Sequence, residues 1–228
     1  VFEGKPPKEK ENLLKERKNN KTIAENEHNI LKDNLNDTND EEQNQIIKSN
    51  MISLKKKFIR LHHTDIQHVK KLLQCLGVSY IVAPGEADKL CASIVNNNFA
   101  YACLSEDMDL FVYGCKRVLR YLSLVNKNII IYHLKQILNE IDMNFIDFKN
   151  ICIISGTDYN IVNNNSLTRT INDFKNYKNY LINDTNNITF LKWMGDNVDY
   201  VNINEINEIN ELFSLDDTCE LKYYLKNQ

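Results

Sequence analysis

The segment LSEDMDLF, residues 104–111, places Glu106, Asp107 and Asp109 within a few positions of one another, directly after the apolar run Phe99–Leu104. A second acidic pair, Glu86 and Asp88, follows Pro84-Gly85. Asp158 follows Ser155-Gly156-Thr157, and Glu3 stands near the first residue. An acid at a helix start commonly serves as a cap or a dipole partner, and Glu86 or Asp158 taken alone reads that way. Separate segments that deliver carboxylates to one edge read differently, because like charges in a cleft raise each other's pKa unless a cation balances them. With no Cys or His at ligand spacing, oxygen-only donors favour Mg²⁺ or Mn²⁺ over zinc. More carboxylates than one ion needs predict two ions, the arrangement that activates water and stabilises the leaving oxygen in phosphodiester hydrolysis. Glu106 is assigned to solvent.

The elements that must position these acids follow from periodicity. Thr64–Gln67 reads as a capping box, Ile66, Val69, Leu72, Leu73 and Leu76 as one helical stripe, and Gly77 as the C-terminal cap. Val78–Ala83 reads as a strand and Pro84-Gly85 as a turn; Ala87, Leu90, Cys91, Ile94 and Val95 form the buried face of a second helix. Further strands are expected at 99–104, 118–122 and 128–132, with helices near 134–141 and 146–154, the last ended by Gly156. Strands alternating with helices predict an α/β fold with a mostly parallel sheet flanked by helices. In such sheets the functional crevice lies beyond the carboxyl ends of the strands, where Asp107 and Asp109 fall. In extended chain these two side chains would share one side. Glu86 and Asp88 can face one site if Glu86 sits at or just before the first helical turn.

Composition bounds the rest. The chain has 228 residues, 43% hydrophobic and 26% charged, enough to bury one core, and a net charge of −3 that decides nothing about nucleic acid. No apolar run approaches the roughly 18 residues that would span a bilayer, and no secretory pattern is present, so an intracellular protein without membrane association is expected. The six cysteines include no Cys-x-x-Cys pair and read as buried free thiols in a reducing compartment. The chain starts Val1-Phe2-Glu3 and its first methionine is Met51, so a longer polypeptide is expected, with Val1-Phe2 as the tail of a strand. Residues 8–50 are dense in Lys, Glu, Asp and Asn and read as a loosely held helical segment or disorder. From Asn163 the chain is Asn-rich and helical, with a stripe of Ile171, Phe174, Tyr177 and Leu181 and a low-complexity echo at Ile203, Ile206 and Ile209.

The motifs together resemble a known family, the flap endonuclease and xeroderma pigmentosum group G nucleases, with exonuclease 1 as a relative. Tyr80-Ile-Val-Ala-Pro-Gly-Glu-Ala-Asp88 resembles the family's internal-domain signature, Ser105-Glu-Asp-Met-Asp109 its second acidic motif and Cys152-Ile-Ile-Ser-Gly-Thr-Asp-Tyr159 its third. Val1-Phe-Glu-Gly-Lys-Pro-Pro7 resembles the close of its amino-terminal section. The resemblance implies a PIN-like fold and a metal-dependent 5′ nuclease acting on branched or 5′-ended DNA in replication or repair. By position, Glu3, Glu86 and Asp88 would hold one ion and Asp107, Asp109 and Asp158 the other. Lys10 and Arg17 match the basic pair of the helical arch that contacts the scissile phosphate. Taken alone they would read as solvated charges; seven residues apart, they share one face if the segment is helical. Lys55, Lys56, Lys57 and Arg60 form a further basic run suited to phosphate, or equally to a solvated helix entry. The implied organisation is an end of the amino-terminal section with arch at 1–57, an internal nuclease domain at 58–160, and a helical region with a degenerate helix-hairpin-helix at 161–228.

The sequence departs from the family in places. Glu3 stands where Asp is more usual, and the upstream section with its own metal-binding Asp is not in this chain. Asn163-Asn-Asn-Ser166 replaces a Gly-hydrophobic-Gly hairpin, which puts a duplex grip in doubt. A sliding clamp is a partner to consider, but no clamp-binding motif is present. A monomer is expected, nuclear if the source is a eukaryote and otherwise cytoplasmic or at a viral replication site. The alternative is an inactive relative serving as a nucleic-acid- or protein-binding scaffold; crowded carboxylates favour the enzyme, because a scaffold has no physical reason to keep them.

Overall fold

The computed structural model describes residues 1–37, 41–160, 167–183 and 188–215, which divide into two compact units: Pro7–Tyr80, and Val1–Pro6 with the chain from Ile81 onward. In the first unit a 3₁₀ turn at Lys8–Lys10 leads into α1 (Glu11–Asp37), followed by α2 (Glu41–Lys57) and α3 (His63–Cys75). The charged stretch is therefore helical where it is described. Helices α1 and α2 pack together around few apolar side chains: Ala24 is buried, and His28 meets Phe58 edge-on at 5.3 Å.

The N-cap of helix α3 lies two residues before the expected box. The Asp65 carboxylate accepts the His62 N–H at 2.8 Å, because His62, with extended backbone, holds the N-cap position. Its end is as read: Gly77 has φ +68, and the Val78 N–H reaches back to the Leu73 carbonyl at 2.9 Å. A side chain there would be strained, which is the reason for glycine. The expected stripe is only partly covered, with Val69, Leu72 and Leu76 exposed within this unit.

The second unit begins with Phe2 paired in parallel with Val82. Then come α4 (Ala87–Asn96), β1 (Cys103–Leu104), α5 (Asp109–Val112), β2 (Arg117–Ser123) and β3 (Asn128–His133). Helices α6 (Leu134–Glu140), α7 (Phe145–Ser155), α8 (Leu167–Asn183), α9 (Phe190–Asn197) and α10 (Ile203–Leu212) complete the described chain. The fold is α/β, and its three-stranded sheet is mixed. β1 runs parallel to β2 (Cys103 opposite Val118), while β2 and β3 are antiparallel (Arg117 opposite His133). The short link Leu124–Lys127 dictates this, since a parallel return needs a crossover of a dozen residues or more. The strand expected at 78–83 is a single bridge at Val82, and that at 99–104 shrinks to Cys103–Leu104. Residues 97–99 are spent closing α4: Asn98 is left-handed (φ 61) and the Phe99 N–H bonds the Ile94 carbonyl at 3.0 Å.

The core gathers Leu110, Phe111 and Val118 with Ile151, Ile153 and Ile154 of α7, and continues into Phe174, Tyr177, Phe190, Met194, Ile206 and Ile209. The α8 stripe buries Phe174 and Tyr177 and leaves Ile171 at the surface. The isoleucine echo packs: Ile206 and Ile209 are buried one turn apart. Asn163–Ser166, where a degenerate hairpin was expected, lies outside the described residues.

Candidate functional site

Parallel pairing of Phe2 with Val82 decides where Glu3 goes. The Phe2 N–H bonds the Ile81 carbonyl (2.7 Å), the Ala83 N–H the Phe2 carbonyl (2.9 Å), and the Gly4 N–H the Gly85 carbonyl (2.9 Å). Gly4 sits so close that a Cβ there would lie 2.0 Å from the Ala83 oxygen. Glu3 thereby reaches the start of α4, where its Oε1 accepts the Ala87 N–H at 3.3 Å. Glu86 is the N-cap residue of that helix, with extended backbone (φ −72, ψ 135) and no capping bond from its own side chain. This is the position just before the first turn that lets Glu86 and Asp88 serve one site. Glu3 and Asp88 both act on the Cys91 thiol. Its hydrogen bond with Cys103 lowers its pKa, while burial and these two carboxylates raise it.

The second acidic pair is arranged otherwise than expected. Asp109 opens α5, and Asp107 Oδ1 accepts the Asp109 N–H at 2.9 Å, so a tight turn replaces extended chain between them. Their common side can no longer be argued from strand alternation. Asp107 is exposed and Asp109 half-buried. The Cys152 thiol is pushed up to about 11, first by burial and then by the Asp109 charge, which puts Asp109 beside α7. Glu106 is exposed but engaged. A bulge between Arg120 and Ser123 leaves Tyr121 out of the ladder, and Glu106 Oε1 accepts its N–H at 2.6 Å while Oε2 pairs with Arg120 at 3.3 Å.

Past Gly156, which ends α7, the third acidic segment folds on its own polar groups. Asn160 Oδ1 accepts the Thr157 N–H (2.9 Å) and hydroxyl (2.7 Å). Asp158 is half-buried there. The next residue, Tyr159, donates its hydroxyl to Glu86 Oε2, and the Tyr113 hydroxyl donates to the same oxygen at 3.0 Å. Burial first holds both phenols well above the usual tyrosine range, helped at Tyr113 by Tyr159 and Glu86 and at Tyr159 by Glu86, against an opposing hydrogen bond from Tyr113, so they are neutral donors. Asp109 acts on Tyr159 as well. Tyr113 and Tyr159 were missed as site residues. The available signal was spacing, since Tyr113 follows Asp109 by four residues and Tyr159 adjoins Asp158.

The described acids thus gather at the starts of α4 and α5, with Tyr159 linking them to the turn after α7. Among the described residues no three His, Cys, Asp or Glu side chains already enclose a cation position. The donor chemistry nevertheless fits Mg²⁺ or Mn²⁺: every candidate is a carboxylate, and such hard cations take oxygen ligands, with water completing the shell.

The basic candidates lie in the unit Pro7–Tyr80. Lys10 closes the 3₁₀ turn, and Arg17, on α1, lines a groove of about 530 Å³ with Lys18, Lys21, Arg60, Leu14 and Leu61. Arg60 pairs with Glu25 at 2.6 Å and Lys21 donates to the Ile59 carbonyl at 3.0 Å. Sequence spacing did not link Arg17 to Arg60; the packing of this unit does. Lys55, Lys56 and Lys57 form the last turn of α2, where cations also complement the helix dipole. Of the described cysteines, Cys103 and Cys115 are buried, Cys91 and Cys152 half-buried, and Cys75, contrary to expectation, exposed; all five are free, and Cys219 lies outside the described residues. No described helix is long and apolar enough to cross a membrane.

Set beside known proteins, this arrangement finds its class: residues 77–158 match the family model described as XPG I-region. Flap endonuclease 1 of Methanococcus aeolicus is 30% identical over 194 residues, covering 78% of this chain and 56% of the relative. Flap endonuclease 1 of Leishmania braziliensis is 35% identical over 162 residues, 70% of this chain and 38% of the relative. The chain therefore spans about half, or less, of the length of these curated relatives. Among solved structures, flap endonuclease-1 from Methanococcus jannaschii superposes with a TM-score of 0.52 at 23% identity, covering 69% of this chain and 47% of that one. The catalytic core of Rad2 in complex with DNA substrate gives 0.56 at 17% identity, covering 99% and 57%. At these identities the superpositions establish the fold. The likeness to the flap endonuclease and xeroderma pigmentosum group G nucleases, first read from the motifs, is thus shown, with residues 77–158 matching the XPG I-region.

Proposed function

We propose that this chain is part of a metal-dependent, structure-specific 5′ nuclease that hydrolyses phosphodiesters of branched DNA, such as 5′ flaps, in replication or repair. The observation that carries the reading is the Glu3–Ala87 bond, which brings a carboxylate from the start of the chain to the helix that presents Glu86 and Asp88. In this reading Glu3, Glu86 and Asp88 hold one divalent cation, and Asp107, Asp109 and Asp158 a second. Two such ions, Mg²⁺ or Mn²⁺, supply an activated water and neutralise the leaving oxygen when bound. The protein's own part is to hold charged oxygens in fixed geometry and to bind the phosphates of the substrate. Lys10 and Arg17 take the phosphate at the cleaved bond. Lys55, Lys56, Lys57 and Arg60 add contacts to the backbone, through charge that carries no sequence preference. We take the complete sheet to be PIN-like and mostly parallel, supported by the β1–β2 and Phe2–Val82 pairings. The helices after residue 160 are read as a degenerate helix-hairpin-helix region, and the protein as a monomer.

The test is Mg²⁺-dependent cleavage of end-labelled 5′-flap, blunt-duplex and single-stranded DNA by the protein extended to its natural start. Asp107→Asn is the control. It keeps an oxygen to accept the Asp109 N–H and removes only the charge. Incision near the flap junction that vanishes in the variant, with DNA binding kept within about a few-fold, is expected if Asp107 serves the ion and not the phosphate. Binding without cleavage of any substrate by the unaltered protein would turn the reading to a scaffold.

A further inference from the structure

We propose that Tyr113 and Tyr159 are positioning residues for the metal centre: their two hydroxyls engage Glu86 Oε2 and so aim the other carboxylate oxygen, Oε1, at the cation. This rests on the reading of Glu86 as a metal ligand. The two donors come from different segments, the end of α5 and the turn after α7, and meet on a single oxygen. Their hydroxyls lie 3.4 Å apart. Both rings pack against one residue, Phe213, just after α10. Its ring centroid lies 4.8 Å from that of Tyr113 in a tilted contact and 5.2 Å from that of Tyr159 edge-on. Tyr113 is 3% exposed and Phe213 2%. The enclosed Tyr113 ring has no room to change rotamer, and the carboxylate it grips inherits that order. Phenylalanine would fill the same apolar space without the hydroxyls that meet the carboxylate. A carboxylate with one oxygen committed to two neutral donors keeps its full charge and loses its freedom to rotate. That favours ligation through one oxygen, the octahedral habit of Mg²⁺, over the two-oxygen grip that larger ions accept.

The experiment measures Mn²⁺ dissociation constants by electron paramagnetic resonance on the full-length protein and on Tyr113→Phe, Tyr159→Phe, the double variant and Glu86→Gln. Flap cleavage is measured across a Mg²⁺ series in parallel. Each Tyr→Phe change keeps the ring on Phe213, and the single variants are read if the double variant loses its thermal transition. The expected result is Mn²⁺ binding weakened about tenfold or more in the double variant. Cleavage by that variant should recover as Mg²⁺ is raised, which a merely structural role would not produce. Wild-type Mn²⁺ affinity in the double variant, with binding lost in Glu86→Gln, overturns this proposal alone. Wild-type affinity in Glu86→Gln overturns the metal reading and this proposal with it.

Discussion

A half-buried thiol reports on the charge beside it. Cys152 is held near 11, with burial the larger cause and Asp109 the second. The sign is simple: a raised thiol pKa keeps Cys152 protonated, and therefore unreactive, until the solution approaches that pH. In metal-free buffer at pH 8 it should alkylate far more slowly than exposed Cys75, with the rate climbing as pH nears 11. Asp109→Asn should bring the midpoint down part of the way, because burial remains. Peptide-resolved alkylation across a pH series measures both. A midpoint near the ordinary thiol value, unmoved by Asp109→Asn, would put Asp109 elsewhere. At this scale the sequence was informative about residue type and less so about geometry. Glu86, Asp88, Asp107 and Asp109 were legible as acids following apolar segments. That Asp107 binds the Asp109 N–H was not, because a two-residue spacing looks alike in a strand and in a turn. Nor was the engagement of Glu106, which depends on a bulge more than ten residues away.

Elements position Glu3, and one glycine allows them to. The Val1–Gly4 segment lies against 81–85 at a distance only a hydrogen side chain permits, the nearest approach being to the Ala83 carbonyl. Gly4→Ala must push the two segments apart, at a cost of about 1–3 kcal/mol in stability, and should carry Glu3 off the Ala87 N–H. Gly85→Ala is the matched control, since a Cβ there meets nothing within 4 Å. Thermal melts together with Mn²⁺ titration test it. The expectation is a lower Tm and weaker binding for Gly4→Ala alone, and equal behaviour of the two variants would contradict it. The helices were legible because their stripes repeat over many residues, and α4, α6 and α7 lie close to where periodicity put them. The sheet was harder. Short apolar runs do not reveal their partners, and the hairpin between β2 and β3 was visible only as the closeness of two runs read as separate strands.

Over the whole molecule the net charge of −3 hides a local division, with the candidate ligands in one unit and the groove of Arg17, Lys18, Lys21 and Arg60 in the other. Each unit makes its own prediction. For the basic unit, binding of a single-stranded 5′ flap should weaken with salt. Each cation lost from the groove should reduce the slope of log K against log salt by about 0.7. Arg17→Ala with Lys21→Ala should therefore flatten the slope by about 1.4, measured by fluorescence anisotropy, and an unchanged slope would remove the groove from the DNA path. For the acidic unit the claim is that carboxylates from the first residues, α4, α5 and the turn after α7 serve divalent cations. Anomalous scattering from crystals of the full-length protein soaked in Mn²⁺ tests this most directly. The account predicts two peaks about 4 Å apart at the starts of α4 and α5, with Glu86, Asp88, Asp107 and Asp109 among the ligands. Crystals that take up Mn²⁺ elsewhere and show no density beside these acids would contradict it.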